Sequence, residues 1–230
     1  CRGDAVLPEP LGYRSARQVL DLGRAAFFAH PAEDLPAAVS PQVAADDLLP
    51  QFGYVGASYQ ARRILLLGIN PGNGPRSERS VGDRTAMPAL ERFVVEKTPE
   101  SFSAAQVAYR SVCEGWAVWG RQCYELLRAG GIGMEDVAFT NALPWRTASQ
   151  SAFGKSIARR AASLYTRPVV NELQPKIIVA VGKKSADILE YAGLMSPSVV
   201  VWNRAQALQP QVVAEREAAT AQFTKLLEAL

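Results

Sequence analysis

Cysteine is scarce: Cys1, Cys113 and Cys123 form an odd set with no close pair. Neither a disulfide framework nor a four-cysteine metal or iron–sulfur site can be built from them, and they read as small buried hydrophobes of a reducing compartment. Long apolar runs are also missing. No stretch reaches the roughly 18 apolar residues of a membrane-spanning helix, and the opening residues lack the charged-then-apolar pattern of a secretory signal. Secretion and membrane insertion both lose support, and a cytoplasmic protein is the expectation. Histidine occurs once, at His30. Charge of one sign is nearly balanced by the other, with a net +3 and a pI near 8.8. That mild basicity suits a protein that touches phosphates, although many soluble enzymes share it.

What is present is enough apolar residue for a full core, 48% of 230 residues. A single domain over residues 1–230 is the simplest division. Residues 1–58 read as a helical N-terminal extension packed on it, with helical spacing from Ser15 to Phe28 and interruptions at Pro31, Pro36, Pro41 and Pro50. The first strong strand is Arg63 to Gly68, whose Ile64-Leu65-Leu66-Leu67 run suits a strand buried on both faces. A polar loop is expected from Asn70 to about Thr85, then helices over Met87 to Lys97 and Ala104 to Ala129. On the second of these Trp116, Trp119, Cys123, Leu126 and Leu127 share a face, which reads as core. Further strands are expected at Val137 to Thr140, Lys176 to Val181 and Ser198 to Trp202. Helices over Gly154 to Leu173, Lys183 to Ala192 and Val212 to Ala229 separate or follow them.

Strands alternating with helices predict an α/β protein, a three-layer α/β/α sandwich around a central four-stranded parallel sheet in the order second, first, third, fourth. In such sheets ligands sit beyond the carboxyl ends of the strands, so the segments after each strand carry the chemistry. The first strand leads into Gly68-Ile69-Asn70-Pro71-Gly72-Asn73-Gly74-Pro75. Glycine lets a backbone approach a ligand, proline stiffens the turn, and the Asn70 carboxamide can orient a water; bare, the stretch is equally a tight strand-to-helix turn. The second strand ends in Thr140-Asn141-Ala142-Leu143-Pro144, where an amide offers donor and acceptor together to a pyrimidine edge, or simply makes a turn. The third delivers Gly182-Lys183-Lys184-Ser185-Ala186 at a helix N-terminus, for phosphate contact or a solvated first turn. The fourth runs into Asn203-Arg204-Ala205-Gln206-Ala207-Leu208.

Taken together these loops resemble the uracil-DNA glycosylase superfamily. Gly68-Ile69-Asn70-Pro71-Gly72 matches the first motif of the mismatch-specific uracil and thymine DNA glycosylases letter for letter. Thr140-Asn141-Ala142 is similar to the superfamily's second-strand asparagine, and Ile178-Val179-Ala180-Val181-Gly182-Lys183 to its third-strand signature. The last motif departs: Asn203 keeps the first position, but Arg204 and Ala205 stand where the family has proline and serine. His30 lies far upstream, so the histidine that other branches use on the departing base is missing from that place. No aromatic residue clearly matches the one that stacks on the extruded base; Met87 and Phe93 are the approximate candidates.

The resemblance implies a glycosylase that flips uracil or a related base out of DNA and hydrolyses its N-glycosidic bond in base excision repair. Flipping costs about a few kcal/mol and is easiest at mismatches. In that scheme Asn70 holds the water, Asn203 stands in the catalytic last motif, and Asn141 reads the base. Gly68, Ile69, Pro71, Gly72 and Asn73 line the pocket, while Lys183, Arg204 and the wedge residue Leu208 meet DNA. Arg76, Arg79, Arg84 and Arg146 are further basic residues near these loops. The expected partner is DNA, with no cofactor, no metal or iron–sulfur cluster, no membrane and a monomeric state. Two rivals stay open: a weak or inactive uracil-DNA-binding protein of the same fold, and a nucleotide-binding α/β enzyme whose Gly72-Asn73-Gly74 loop cradles a soluble phosphate.

Overall fold

Apolar runs too short for helices become strands because a sheet covered on both faces can bury every one of their side chains. The protein, a computed structural model, is described over residues 8–28, 49–71, 76–113, 123–145, 154–204 and 209–230, with the backbone alone for residues 25, 28, 76–84 and 124. Its strands are β1 (Tyr54–Val55), β2 (Ile64–Gly68), β3 (Val137–Asn141), β4 (Ile177–Val181) and β5 (Val199–Trp202). Its helices begin with α1 (Tyr13–Leu22), α2 (Arg24–Phe28), α3 (Tyr59–Arg62), α4 (Arg76–Glu96) and α5 (Pro99–Cys113). They continue with α6 (Tyr124–Ala129), α7 (Lys155–Ala161), α8 (Arg167–Leu173), α9 (Lys183–Tyr191) and α10 (Pro210–Glu228).

The sheet runs β1-β3-β2-β4-β5. Its last four strands are parallel and stand in the order expected for the four strands read from the sequence. The sheet is nonetheless five-stranded and mixed, because β1 adds an antiparallel edge beside β3, with Tyr54 opposite Phe139. Residues alternate strictly between the two faces. Leu65, Leu67, Ala138, Ile178 and Ala180 join a core with Met87, Phe93, Phe102, Ile188 and Leu189. Ile64, Leu66, Val137, Phe139 and Val179 join another with Tyr109, Leu126, Leu127 and Phe223. Helices therefore cover both faces, and each fully buried Leu, Ile or Phe contributes about 1.5–3 kcal/mol.

Four helical expectations change. The N-terminal helix breaks at Gly23, whose φ of 75° ends α1 before α2 begins. The stretch expected as a loop to Thr85 is helical from Arg76, and α4 continues through Pro88, because Met87, Leu90 and Phe93 on its inner face are buried. The helix expected over Ala104 to Ala129 is two described helices, α5 and α6, and Trp116 and Trp119 fall outside the described residues. A π turn at Ala162–Thr166 joins α7 to α8. Arg167 alone separates it from Pro168, which cannot donate to the carbonyl four residues back. The Glu172 carboxylate on α8 accepts the Arg14 and Ser15 amides at 3.1 and 2.9 Å and the Ser15 hydroxyl at 2.6 Å, so α8 caps the first turn of α1.

Candidate base-binding site at the carboxyl edge of the sheet

Because β2, β3, β4 and β5 are parallel, Asn70, Asn141, Gly182 and Asn203 all emerge at one edge of the sheet. Gly68 pairs with Asn141 across β2 and β3. A Cβ at Gly68 would collide with Asn141 Oδ1, so a side chain there would have to displace the Asn141 amide. The following loops are laced together: the Ala142 amide donates to the Gly68 carbonyl and the Leu143 amide to the Ile69 carbonyl, both at 2.9 Å. The Ile69 carbonyl is thus engaged in joining the loops.

Asn70 and Asn141 are both buried, at 9% and 3% exposure. The Asn141 Nδ2 is buried without a hydrogen-bond partner. Leaving such a donor unpaired costs about 1–3 kcal/mol, and a polar group held in that condition is suited to being satisfied by a ligand.

The backbone around Asn141 is clamped from the π turn. The Thr140 hydroxyl donates to the Phe52 carbonyl at 3.1 Å and lies 2.9 Å from the Tyr165 hydroxyl. Thr166 donates to the Ala142 carbonyl at 3.2 Å. The wider π turn directs two successive hydroxyls at residues on either side of Asn141. Burial pushes the Tyr165 phenol above its ordinary range, opposed by its hydrogen bond to Thr140. It therefore remains a protonated, neutral clamp.

At the end of β5 the site takes a different character. The Asn203 amide donates to Glu215 Oε2 at 2.6 Å, and Arg216 Nε donates to the Asn203 carbonyl at 2.9 Å. The Asn203 hydrogen bond, then that of Gln211 and the charge of Lys183, hold the Glu215 carboxyl below the usual carboxylate range against the opposing effect of burial. Lys183 Nζ lies 3.5 Å from Glu215 Oε1. Gly182 has φ of 98° and donates to the Trp202 carbonyl at 2.8 Å. The Arg204 side chain lies over Gly182, and burial lowers its guanidinium pKa, though arginine stays charged at any ordinary pH.

Pro71 is buried beside Asn70. Gly72, Asn73, Leu208 and Arg146 lie outside the described residues, as do the side chains of Arg76, Arg79 and Arg84. Of the two candidates for stacking on a base, Met87 lines a pocket beside β1. Phe93 is fully buried, 4.9 Å from Phe102 and 5.9 Å from Phe52 between ring centres, which makes it core and not a stacking platform. Gln51 was not singled out by its sequence, yet it is 5% exposed and its Oε1 has no hydrogen-bond partner. A glutamine between Pro50 and Phe52 carries no pattern that announces such burial. Among the described residues no group of His, Cys, Asp and Glu is placed to hold a metal ion, and no helix is long and apolar enough to cross a membrane.

No protein-family model matches the chain, and no curated protein matches it.

Proposed function

We propose that this chain is a DNA glycosylase of the uracil-DNA glycosylase type, which takes uracil or a related deaminated base out of DNA and hydrolyses its bond to the sugar. The observation that carries the reading is the Asn141 carboxamide, buried with an unpartnered Nδ2 against Gly68 and within the same laced pair of loops as Asn70. A carboxamide in that condition suits the O4 and N3–H edge of uracil, because it can accept from one group and donate to the other. Four parallel strands whose carboxyl ends carry the motif-like segments give the reading its scaffold.

In this scheme DNA binding extrudes the nucleotide and Asn141 receives the base. Asn70 orients a water beneath the sugar. As the glycosidic bond breaks, the sugar becomes cationic and the base anionic, so hydrogen-bond donors placed at the base and a water placed at the sugar lower the barrier. Lys183 and Arg204 at the same edge supply positive charge toward phosphates.

The test is to incubate the protein with labelled oligonucleotides bearing uracil, hypoxanthine, xanthine or thymine opposite each base, then cleave with alkali. Under single-turnover conditions abasic sites accumulate with time on at least one substrate. Protein that neither binds these DNAs nor releases base from any of them would overturn the reading.

A second reading has its own observation. Asn203 is committed to the anionic Glu215, in the place where other branches of the superfamily put a donor to the departing base. A carboxylate there opposes negative charge on the base, which favours a slow enzyme or a binder that retards uracil-containing DNA without releasing base. The time course of the same assay separates the two.

A further inference from the structure

Along α7, the π turn and α8, the buried side chains are apolar but for two neighbours. Ala161, Ala162, Val169, Val170 and Leu173 join the core that holds Leu65 and Leu67. Tyr165 and Thr166 are the exceptions, and Thr166 is 0% exposed. A valine would match its shape among such neighbours without placing a hydroxyl in the core. The hydroxyl is spent on one bond, donated to the Ala142 carbonyl at 3.2 Å.

Ala142 is where the loops carrying Asn70 and Asn141 are joined. Its amide donates to the Gly68 carbonyl, and the next amide, that of Leu143, donates to the Ile69 carbonyl, both at 2.9 Å. The C=O and N–H of one trans peptide point opposite ways. The Ala142–Leu143 peptide is therefore gripped from both sides, by Thr166 at its carbonyl and by Ile69 at its amide. The Ile69 carbonyl in turn belongs to the peptide that ends at the Asn70 nitrogen. A chain of bonds thus runs from the Thr166 hydroxyl through one peptide to the next and reaches Asn70, each member polarising its neighbour. Asn141 immediately precedes Ala142, so the same hydroxyl fixes the backbone under both asparagines. Ala142 and Leu143 are fully buried and Ile69 is nearly so, which keeps the chain away from solvent.

We infer that Thr166 is a positioning residue for Asn70 and Asn141 together, holding the two carboxamides in one fixed relation at the carboxyl edge of the sheet. Tyr165 and Thr140 hold the strand on the other side of Asn141, so Thr166 is the member that ties Asn141 to Asn70. That relation rests on the hydrogen bonds; its use, one amide reading a base while the other orients a water, rests on the glycosylase reading above.

The test is a graded series at one position of the full chain. Thr166→Ser keeps the donor, Thr166→Cys leaves a weak one, and Thr166→Val removes it while keeping the shape. Phe223→Leu, in the core on the other face of the sheet, controls for lost stability alone. Circular dichroism and thermal melts set a temperature at which each variant is folded. The side-chain amide signals of Asn70 and Asn141, assigned from the Asn70→Ala and Asn141→Ala proteins, are then followed by proton–nitrogen NMR. Both signals should stay in place in Thr166→Ser and Phe223→Leu, and both should move in Thr166→Cys and further in Thr166→Val. Single-turnover excision should fall at least about tenfold in Thr166→Val while DNA affinity changes by less than about threefold, and Thr166→Ser should recover the rate. If Thr166→Val does not fold, Thr166→Cys decides by the same measurements. Signals that stay in place in the folded variant, that move for one asparagine only, or that move as far in Phe223→Leu would overturn the inference. Undiminished excision by folded Thr166→Val would overturn it too. The two claims fail separately. Both signals moving, with no base released from any DNA by wild type, supports the positioning and sinks the glycosylase. Base release by wild type, with both signals fixed in folded Thr166→Val, sinks the positioning and leaves the glycosylase standing.

Discussion

Gly68 and Asn141 face each other across β2 and β3 so closely that the amide oxygen of Asn141 occupies the space a side chain at position 68 would need. The pair explains why a glycine ends a strand of otherwise bulky residues. It also makes the two positions energetically one unit. Gly68→Ala should push the Asn141 amide aside, lowering stability by about 1–3 kcal/mol and base excision by at least about tenfold. In an Asn141→Ala background the same change should cost much less on both counts, since the obstructing amide is gone. Urea denaturation and single-turnover excision of the two single variants and the double variant measure the coupling, and additive effects would show that the contact is unimportant.

If Asn70 orients the attacking water as proposed, Asn70→Ala should reduce excision by about 100-fold or more while DNA binding changes little. Asn141→Ala should instead weaken recognition of the pyrimidine, visible as lost discrimination between uracil-containing and undamaged DNA. Comparing binding with the rate of abasic-site formation for each variant distinguishes the two roles.

Tyr165→Phe should destabilise the fold by about 0.5–2 kcal/mol, since it removes the hydroxyl beside Thr140 and leaves that network one member short. If the clamp positions Asn141, the variant should also lower excision at temperatures where it is fully folded. A Tyr165→Phe protein with reduced stability but unaltered excision would make the network purely structural.

Arg204 lies at the carboxyl edge over Gly182, and in the proposed DNA complex it meets a phosphate. Arg204→Ala should weaken binding to all DNA sequences alike, and the slope of log affinity against log salt should fall by about 1. An effect confined to uracil-containing DNA would assign Arg204 to the base instead.

Burial pushes the Cys123 thiol up to about 12 and the Cys113 thiol well above its ordinary value. Both thiols titrate near 8.5–9 in an unfolded chain. Above about pH 9 the unfolded chain therefore loses protons that the folded chain keeps, so it is progressively favoured and stability falls, for Cys123 until the folded thiol itself ionises near pH 12. Denaturant midpoints measured from pH 8 to pH 11 should decline. The decline should be shallower in a Cys113→Ala/Cys123→Ala protein, and neither thiol of the native wild type should react with iodoacetamide at pH 8 until denaturant is added.

Much of this molecule follows from local pattern. Ile64 to Leu67, Val137 to Thr140, Ile177 to Val181 and Val199 to Trp202 are continuous apolar runs, each too short for a buried helix, and alternating them with helices leaves a parallel sheet as the economical solution. Once the strands are parallel, the segments after them share an edge, which is why the strand pattern alone groups Asn70, Asn141, Gly182 and Asn203. Other features had no local signature. β1 has only two residues, and Tyr54 and Val55 become a strand because β3 offers them an open edge. α4 begins at Arg76 and passes through Pro88 because its inner face has a core to fill, which outweighs the proline's missing bond. The commitment of Asn203 to Glu215, 12 positions away, and the burial of Gln51 beneath α4 and α5 are likewise tertiary decisions. An asparagine or glutamine carries the same two polar ends wherever it sits in a chain. Which end is satisfied, and by what, depends on neighbours that only the packed structure brings within reach.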